Sequence, residues 1–410
     1  MLHSHTHVYT GIQPHTREQK RGQPASIALR TFAACLVALA MAVHYTDYGP
    51  LIPAMLSDLR ITASQAGLMS TLLFLGLAVA YLPGGMLVDR YGQRPVLLVV
   101  LLLMVLGGVL LPLWPNIFWL LACRALIGLG AGVAFIAGAG VVAGVGRHAA
   151  LAQGLYGGSV QIGSGLGLLV TPAIANLAGW QGALFFWGLA SVPALLAWFF
   201  IKDDRRTQRE CAVTIGVGLR SPAVWSLGLA HMGTFGVGNA IAAWIIVYLV
   251  RQYDLSLSLA ATFGALGLIS GALLRPLGGF LLGRKVLDSV TVLRMGTILT
   301  CLGVAALAVP VRQPVLVIVG MVFIAFGSTV PYTSVFDSAA QLKNVSKGVA
   351  QGLLSVIACQ TLLWGPPLIG FLFQLTGAFV LPFGSMLFFC AIAINASFLT
   401  GSILKFEKRS

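Results

Sequence analysis

Few residues in this chain can do chemistry, and most of those stand in apolar surroundings. Arg275, in GALLRPLGGFLLGRK (271–285), has apolar and glycine residues on both sides. A guanidinium at the centre of a membrane helix costs ~2.5–3.5 kcal/mol on insertion scales, so it must face protein or water rather than lipid. Two tasks suit it: holding a substrate anion, or pairing with a carboxylate to lock two helices together. The intramembrane carboxylates are Asp47, in VHYTDYGPLIP, and Asp337. His44 precedes Asp47 by three residues, a spacing that puts both on one helix face. A membrane-embedded carboxylate beside an imidazole can exchange a proton near neutral pH, which is the chemistry of proton coupling, and His231 is a second candidate for it. Asp47 serves equally well as a partner for Arg275. Trp244 and Tyr248 are candidate aromatic contacts for a substrate, although tryptophans in membrane helices more often mark interfaces or fill packing gaps.

Other chemistries find no support. The runs GLGAG (128–132) and GSGLG (163–167) do not fit GxGxxG, and no GxxxxGK[ST] occurs, so neither a nucleotide cofactor nor direct drive by ATP is expected. The six cysteines, at 35, 123, 211, 301, 359 and 390, form no CxxC pair, and neither disulfides nor a structural metal is expected. His3, His5, His7 and His15 lie in a polar leader that reads as a disordered tail (1–24). No clustered acid, base or metal ligands suggest an enzyme.

The elements that must position these residues are membrane helices. The 410 residues are 58% hydrophobic and only 9% charged, with a mean hydropathy of +0.92. That is far from the roughly 25% charged residues of a soluble domain. The formal charge of +14 lies mainly in short loops, where it reads as topogenic charge and not as a nucleic-acid surface. Apolar runs predict an all-α protein with twelve spans near 27–56, 66–88, 95–113, 117–141, 153–178, 182–201, 222–250, 259–283, 289–309, 314–336, 348–374 and 378–403. With a cytoplasmic N-terminus, the cytoplasmic loops collect Arg90, Arg94, Arg147, the basic residues of 202–220, Arg284, Lys285, Lys343 and Lys347. The other side keeps only Arg60, Arg251 and Arg312, so both termini are expected in the cytoplasm. The one long polar loop, 202–221, reads as a linker between two six-helix halves, 25–201 and 222–404, with a short tail at 405–410.

The halves echo each other. YLPGGMLVDR (81–90) aligns without gaps on RPLGGFLLGR (275–284), and AQGL occurs at 152–155 and again at 350–353. Both pairs run in the same sense, which predicts parallel repeats with a site between them near the midplane. The alignment sets Tyr81 opposite Arg275 and makes it a further candidate for the site.

GMLVDRYGQRP (85–95) resembles the loop signature of the major facilitator superfamily of secondary transporters, with Gly85, Asp89, Arg90, Gly92 and Arg94 at the matching positions. RALIGLGAG, with Arg124, Gly128 and Gly130, is similar to the family's fourth-helix motif. The resemblance implies a cytoplasmic gate closed by ion pairs and a helix terminus, formed by Asp89, Arg90, Arg94 and Arg124. In the degraded second copy, where Gly283 replaces the acid, Asp337 with Arg284 or Lys285 would do the equivalent work. GTFG (233–236) followed by GALLRPLGG looks most like nitrate/nitrite porters and cyanate permeases, in which the helix-eight arginine binds the anion. Those porters place a second arginine on helix two, where this chain has Tyr81, and helix eleven lacks their glycine-rich signature. The expectation is a monomeric carrier, in a plasma (inner) membrane, that takes up a small anion with protons by rocking of its halves. A proton-driven exporter of drugs or metabolites and a transporter-like sensor are the alternatives, and GGSVQIGSGLG lacks the exporters' GPxxGG pattern.

Overall fold

The computed structural model describes residues 24–61, 63–201, 215–343 and 345–409; the tail up to residue 23 and most of the 202–221 linker fall outside them. Among the described residues there is no strand. A backbone in hydrocarbon must satisfy its own N–H and C=O groups, and a helix does so within one segment. Ten segments of the described residues are long and apolar enough to cross a membrane. One of them, Gly146–Phe200, turns back at Gly179, whose φ of 71° suits a residue without a Cβ, and so supplies both the fifth and the sixth span. The shorter Ile27–Val43 brings the total to twelve.

Two spans depart from regular helix where the site is built. The first was expected to run unbroken over 27–56, but its helix, Pro24–Val43, stops at Val43. Residues 44–48 are turns, followed by a 3-10 turn, Gly49–Leu51, and a short helix, Ile52–Leu59. Pro50 and Pro53 cannot donate to the carbonyls four residues back, and that breaks the helical ladder here. The seventh span is Pro222–His231, then a π turn, Met232–Gly236, over the GTFG stretch, then Val237–Tyr253. Such single π turns recur at functional sites.

The repeat seen in the sequence is also a repeat of contacts. Within the first half, a methyl group on Gly84 of the second span (Ala63–Tyr91) would press on Val133 of the fourth (Ile117–Ala143). In the second half, Gly278 of the eighth span (Leu257–Gly283) meets Val330, beside the tenth, in the same way. Between the halves, the second span meets the eleventh (Lys347–Thr376), and the fifth meets the eighth. A Cβ on Gly352 would lie 2.7 Å from the Tyr81 carbonyl oxygen, and one on Gly154 would lie 2.6 Å from that of Arg275. Gly85 and Gly348 likewise leave no room for a side chain between their backbones. These approaches all lie toward the end that bears the 90–94 loop. Along the fifth and eighth spans toward the other end, Gly165 and Gly267 have nothing within 4 Å. The halves are thus sealed at one end and apart toward the other. Four glycines of the eighth span lie one or two helical turns from Arg275: Gly271 and Gly279 meet Gln161 and Ala150, while Gly267 and Gly283 have nothing within 4 Å.

Candidate functional site

Between the halves, just past the seam, lies a cavity of ≈140 Å³. Arg275 forms part of its floor and is only 3% exposed. Pro276 and the glycines around it let the eighth span approach the fifth closely enough for Arg275 Nη1 to donate to the Gly157 carbonyl at 2.8 Å. The guanidinium lies 4.5 Å from the centre of the Tyr332 ring, a cation–π contact. Its Nε has no partner, and among the described residues no carboxylate lies within 4.0 Å of it. Among the described residues, Arg275 is a buried cation without a counter-ion.

Asp47 is engaged elsewhere. Its Oδ1 accepts from Arg124 Nη2 at 2.7 Å, and its Oδ2 lies 3.0 Å from His44 Nδ1. The unwound 44–48 stretch also frees the His44 carbonyl, which accepts from Arg124 Nη1 at 3.0 Å, while the guanidinium stacks 4.8 Å from the centre of the Tyr48 ring. This settles the open pairing of Asp47 in favour of Arg124. His44 and Asp47 meet across a turn and not along a helix face. Neither lines the cavity; Tyr45 and Thr46, between them in sequence, do. The triad sits directly behind the cavity wall.

Arg124 was expected at the gate, and the structure places it far from there. Gly140, on the same helix, lies level with Gln93 beside the 90–94 loop. The sixteen residues from Arg124 to Gly140 span ~24 Å at the helical rise of ~1.5 Å per residue. The other first-half gate residues do gather. Asp89 accepts from the Ser346 hydroxyl at 2.5 Å and from the backbone N–H groups of Gly348 and Val349, at the N-terminus of the eleventh span. Such a terminus favours a carboxylate. Arg94 donates to the carbonyls of Trp198 and Phe199, at 3.3 and 2.8 Å, at the C-terminal end of the sixth span. Gly92 has a φ of 92°, in the region open to glycine, and lets the chain turn between the second and third spans. Arg90 stacks on Tyr91 and Arg284 on Phe280. Asp337 does not meet Arg284 or Lys285: Gln341, one turn further on its own helix, donates to it at 2.7 Å.

His231 and Tyr81 line the cavity, but Trp244 and Tyr248 do not. Trp244 donates from Nε1 to the Pro366 carbonyl at 3.0 Å, and Tyr248 packs among Tyr253, Phe379 and Phe383 in the core of the second half. Helical phase explains both. Asn239 lines the cavity, and Trp244 and Tyr248 are five and nine residues past it in the regular helix Val237–Tyr253, which at ~100° per residue turns them ~140° and ~180° away. Phe235, in the π turn, lines the cavity with Asn239. The sequence reading passed over Phe235 and Asn239, and also Phe135, Tyr332 and Phe336. Their rings form a chain, Tyr81 to Phe135 at 5.5 Å, Phe135 to Phe336 at 5.5 Å and Phe336 to Tyr332 at 4.8 Å, that ends under Arg275.

Residues 31–359 match the Major Facilitator Superfamily. The chain belongs to this superfamily. It is 28% identical over 250 residues to the cyanate transport protein CynX of Escherichia coli (strain K12), covering 59% of this chain and 64% of that protein. It thus spans less than two thirds of that relative's length. To the nitrite extrusion protein of Bacillus subtilis (strain 168) it is 25% identical over 350 residues, covering 81% of this chain and 84% of that one. Among solved structures, the superfamily transporter FucP in its outward conformation superposes with a TM-score of 0.74 at 15% identity, over 92% of this chain and 99% of that one. That match shows the fold: this superfamily member is a multi-pass membrane protein with twelve spans in two parallel repeats.

Proposed function

We propose that this superfamily member is a secondary active carrier that takes up a small anion together with protons by rocker-switch alternating access. The observation that carries the anion is Arg275: a buried guanidinium without a counter-ion among the described residues, at the floor of the central cavity and in the seam between the halves. An unpaired charge there is costly, and a bound anion removes that cost. The names of the cyanate and nitrite relatives agree with this class of substrate. In the positive-inside reading the sealed end is cytoplasmic, both termini are cytoplasmic, and the cavity opens outward. Asp89 at the head of the eleventh span holds the cytoplasmic seam, which must part for release, and Arg94 ties the third span to the sixth within the first half.

Proton coupling rests on the Asp47–Arg124–His44 triad. It is buried, its His44 Nε2 and Arg124 Nε are unbonded, and it touches the cavity through the backbone of Tyr45 and Thr46. Protonation of Asp47 removes the charge that holds Arg124, and so moves the stretch that walls the cavity. His231, stacked on Phe235 beside the cavity, is the alternative proton site.

Flux into proteoliposomes under an imposed pH gradient, screened over nitrate, nitrite, cyanate and small carboxylates, tests the proposal. Arg275→Gln is expected to weaken apparent affinity for the transported anion tenfold or more, on the scale of a lost charge-assisted hydrogen bond. Unchanged affinity would rule out Arg275 as the anchor.

A further inference from the structure

We infer that the substrate is an organic monocarboxylate with a ring-sized apolar body, and not a bare inorganic oxyanion. This deepens the reading above and rests on Arg275 as the anion anchor. Four features of the cavity lead there.

Charge comes first. Among the residues that line the cavity, Arg275 is the only one with a permanent charge. The repeat offers a second place for a cation at position 81, and Tyr81 fills it with a neutral phenol. One guanidinium compensates one carboxylate; a dianion would leave a charge unmatched in an apolar chamber.

Size comes second. An apolar cavity of about 150 Å³ takes up a benzene ring, and this one is ≈140 Å³. Nitrate or cyanate would leave most of that space to water against apolar walls. A second chamber of ≈80 Å³ branches off at Arg275, Gln161, Phe235 and Asn239 and runs between Ile241, Leu307 and Met321, with room for a substituent.

Third, the walls are apolar. Phe74, Leu77, Phe135, Phe235 and Leu362 line the space around the guanidinium. Aromatic and aliphatic walls with a few placed polar groups are the usual make-up of a pocket for an organic ligand.

Fourth, the serine and threonine hydroxyls that line the cavity are committed to backbone carbonyls, and among the lining phenols that of Tyr332 is buried without a partner. Thr46 donates to the Ser164 carbonyl at 2.6 Å, Ser164 to that of Ala42 at 3.3 Å, and Ser355 to that of Gln351 at 2.7 Å. An inorganic oxyanion stripped of water needs several donors around it; the serine and threonine hydroxyls do not supply them, and Tyr332 adds one hydroxyl beside Arg275, which suits a carboxylate. Asn239 gives its Nδ2 to the Phe235 carbonyl at 2.8 Å and keeps Oδ1, an acceptor suited to a hydroxyl or ring N–H on the substrate body.

The test measures binding to the purified full-length protein in lipid nanodiscs by calorimetry, with four probes: benzoate, benzamide, acetate and nitrate. Benzoate is expected to bind about tenfold or more tightly than benzamide, which lacks the charge, and than acetate and nitrate, which lack the body. Arg275→Gln should weaken all three anions. Phe235→Ala, and separately Phe74→Ala, should weaken benzoate several-fold and leave nitrate unchanged; both side chains are only half-buried, which favours folded variants. Nitrate binding as tightly as benzoate, with Arg275 still required, would overturn the substrate class and leave the anion reading standing. Benzamide binding as tightly as benzoate, or anion binding indifferent to Arg275→Gln, would overturn both. So would the absence of binding by all four probes.

Discussion

The seam at the closed end gives the sharpest quantitative prediction. In Gly154→Ala, the new methyl carbon lies 2.6 Å from the Arg275 carbonyl oxygen and 2.9 Å from the Cα of Pro276. A carbon–oxygen contact normally closes no further than ~3.3 Å. Both obstacles are backbone, so no rotamer relieves them and the two helices must separate. Overpacking of this kind costs about 1–3 kcal/mol, and it weighs only on the state in which this end is closed. The population of that state should therefore fall by roughly 5–150-fold relative to states with the seam parted. Spin labels at the exposed positions Arg147 and Lys285, in a cysteine-free background, report the separation by pulsed electron resonance. A longer distance component should appear in Gly154→Ala and uptake should slow. Gly352→Ala should do the same at the other seam, because its methyl meets the Tyr81 carbonyl oxygen at 2.7 Å. Gly165→Ala and Gly267→Ala, further along the same two helices as Gly154 and Arg275, have nothing within 4 Å and serve as controls. If Gly154→Ala transports at the normal rate with an unchanged distance distribution, or if Gly165→Ala perturbs transport equally, the seam is not what closes this end.

Three further outcomes are expected. Asp47→Asn leaves Arg124 buried without its counter-ion, which costs up to about 3–5 kcal/mol; the melting temperature should drop, and uptake should no longer follow a pH gradient, whereas pairing it with Arg124→Met should restore stability but not coupling. Asp89→Ala removes a carboxylate bonded to Ser346 and to two amides at a helix start, a loss of about 1.5–3 kcal/mol, and labels at Arg90 and Lys343 should report a looser seam; an unaltered distance would deny Asp89 that role. Trp244→Phe should lower stability by about 1 kcal/mol through loss of its bond to the Pro366 carbonyl while anion affinity stays the same, and a change in affinity would place Trp244 in the cavity after all.

The spans were legible because length and hydropathy are enough to define a membrane helix. The ends were less so: the first helix stops at Val43 because Pro50 and Pro53 remove donors that a hydropathy count ignores. Arg275 stood out as a charge where charge is costly, and the structure puts it in the central cavity. The pairing of Asp47 did not follow from residue types, since two arginines were available. Depth along the helices separates them: Asp47 and Arg124 lie toward the open end, whereas Arg275 is nine residues from Arg284 at the sealed one. Phase within the seventh span sets Trp244 and Tyr248 on a different face from Asn239, but the π turn at Met232–Gly236 breaks the count back to His231 and hid Phe235. Phe135, Phe336 and Tyr332 carried no signal, because one aromatic residue in an apolar helix reads like another until the neighbouring helices are placed.

Tyr81 and Arg275 each meet two different demands with two different parts. Their carbonyl oxygens abut Gly352 and Gly154, and their side chains line the cavity. Every amino acid has the same carbonyl, so the side chain at either position can be exchanged without altering the surface that the opposing glycine sees. This separation accounts for how two copies of one segment came to differ as much as tyrosine and arginine while keeping one mode of closure. It also marks positions 81 and 275 as places where new selectivity can be engineered at little risk to the moving parts.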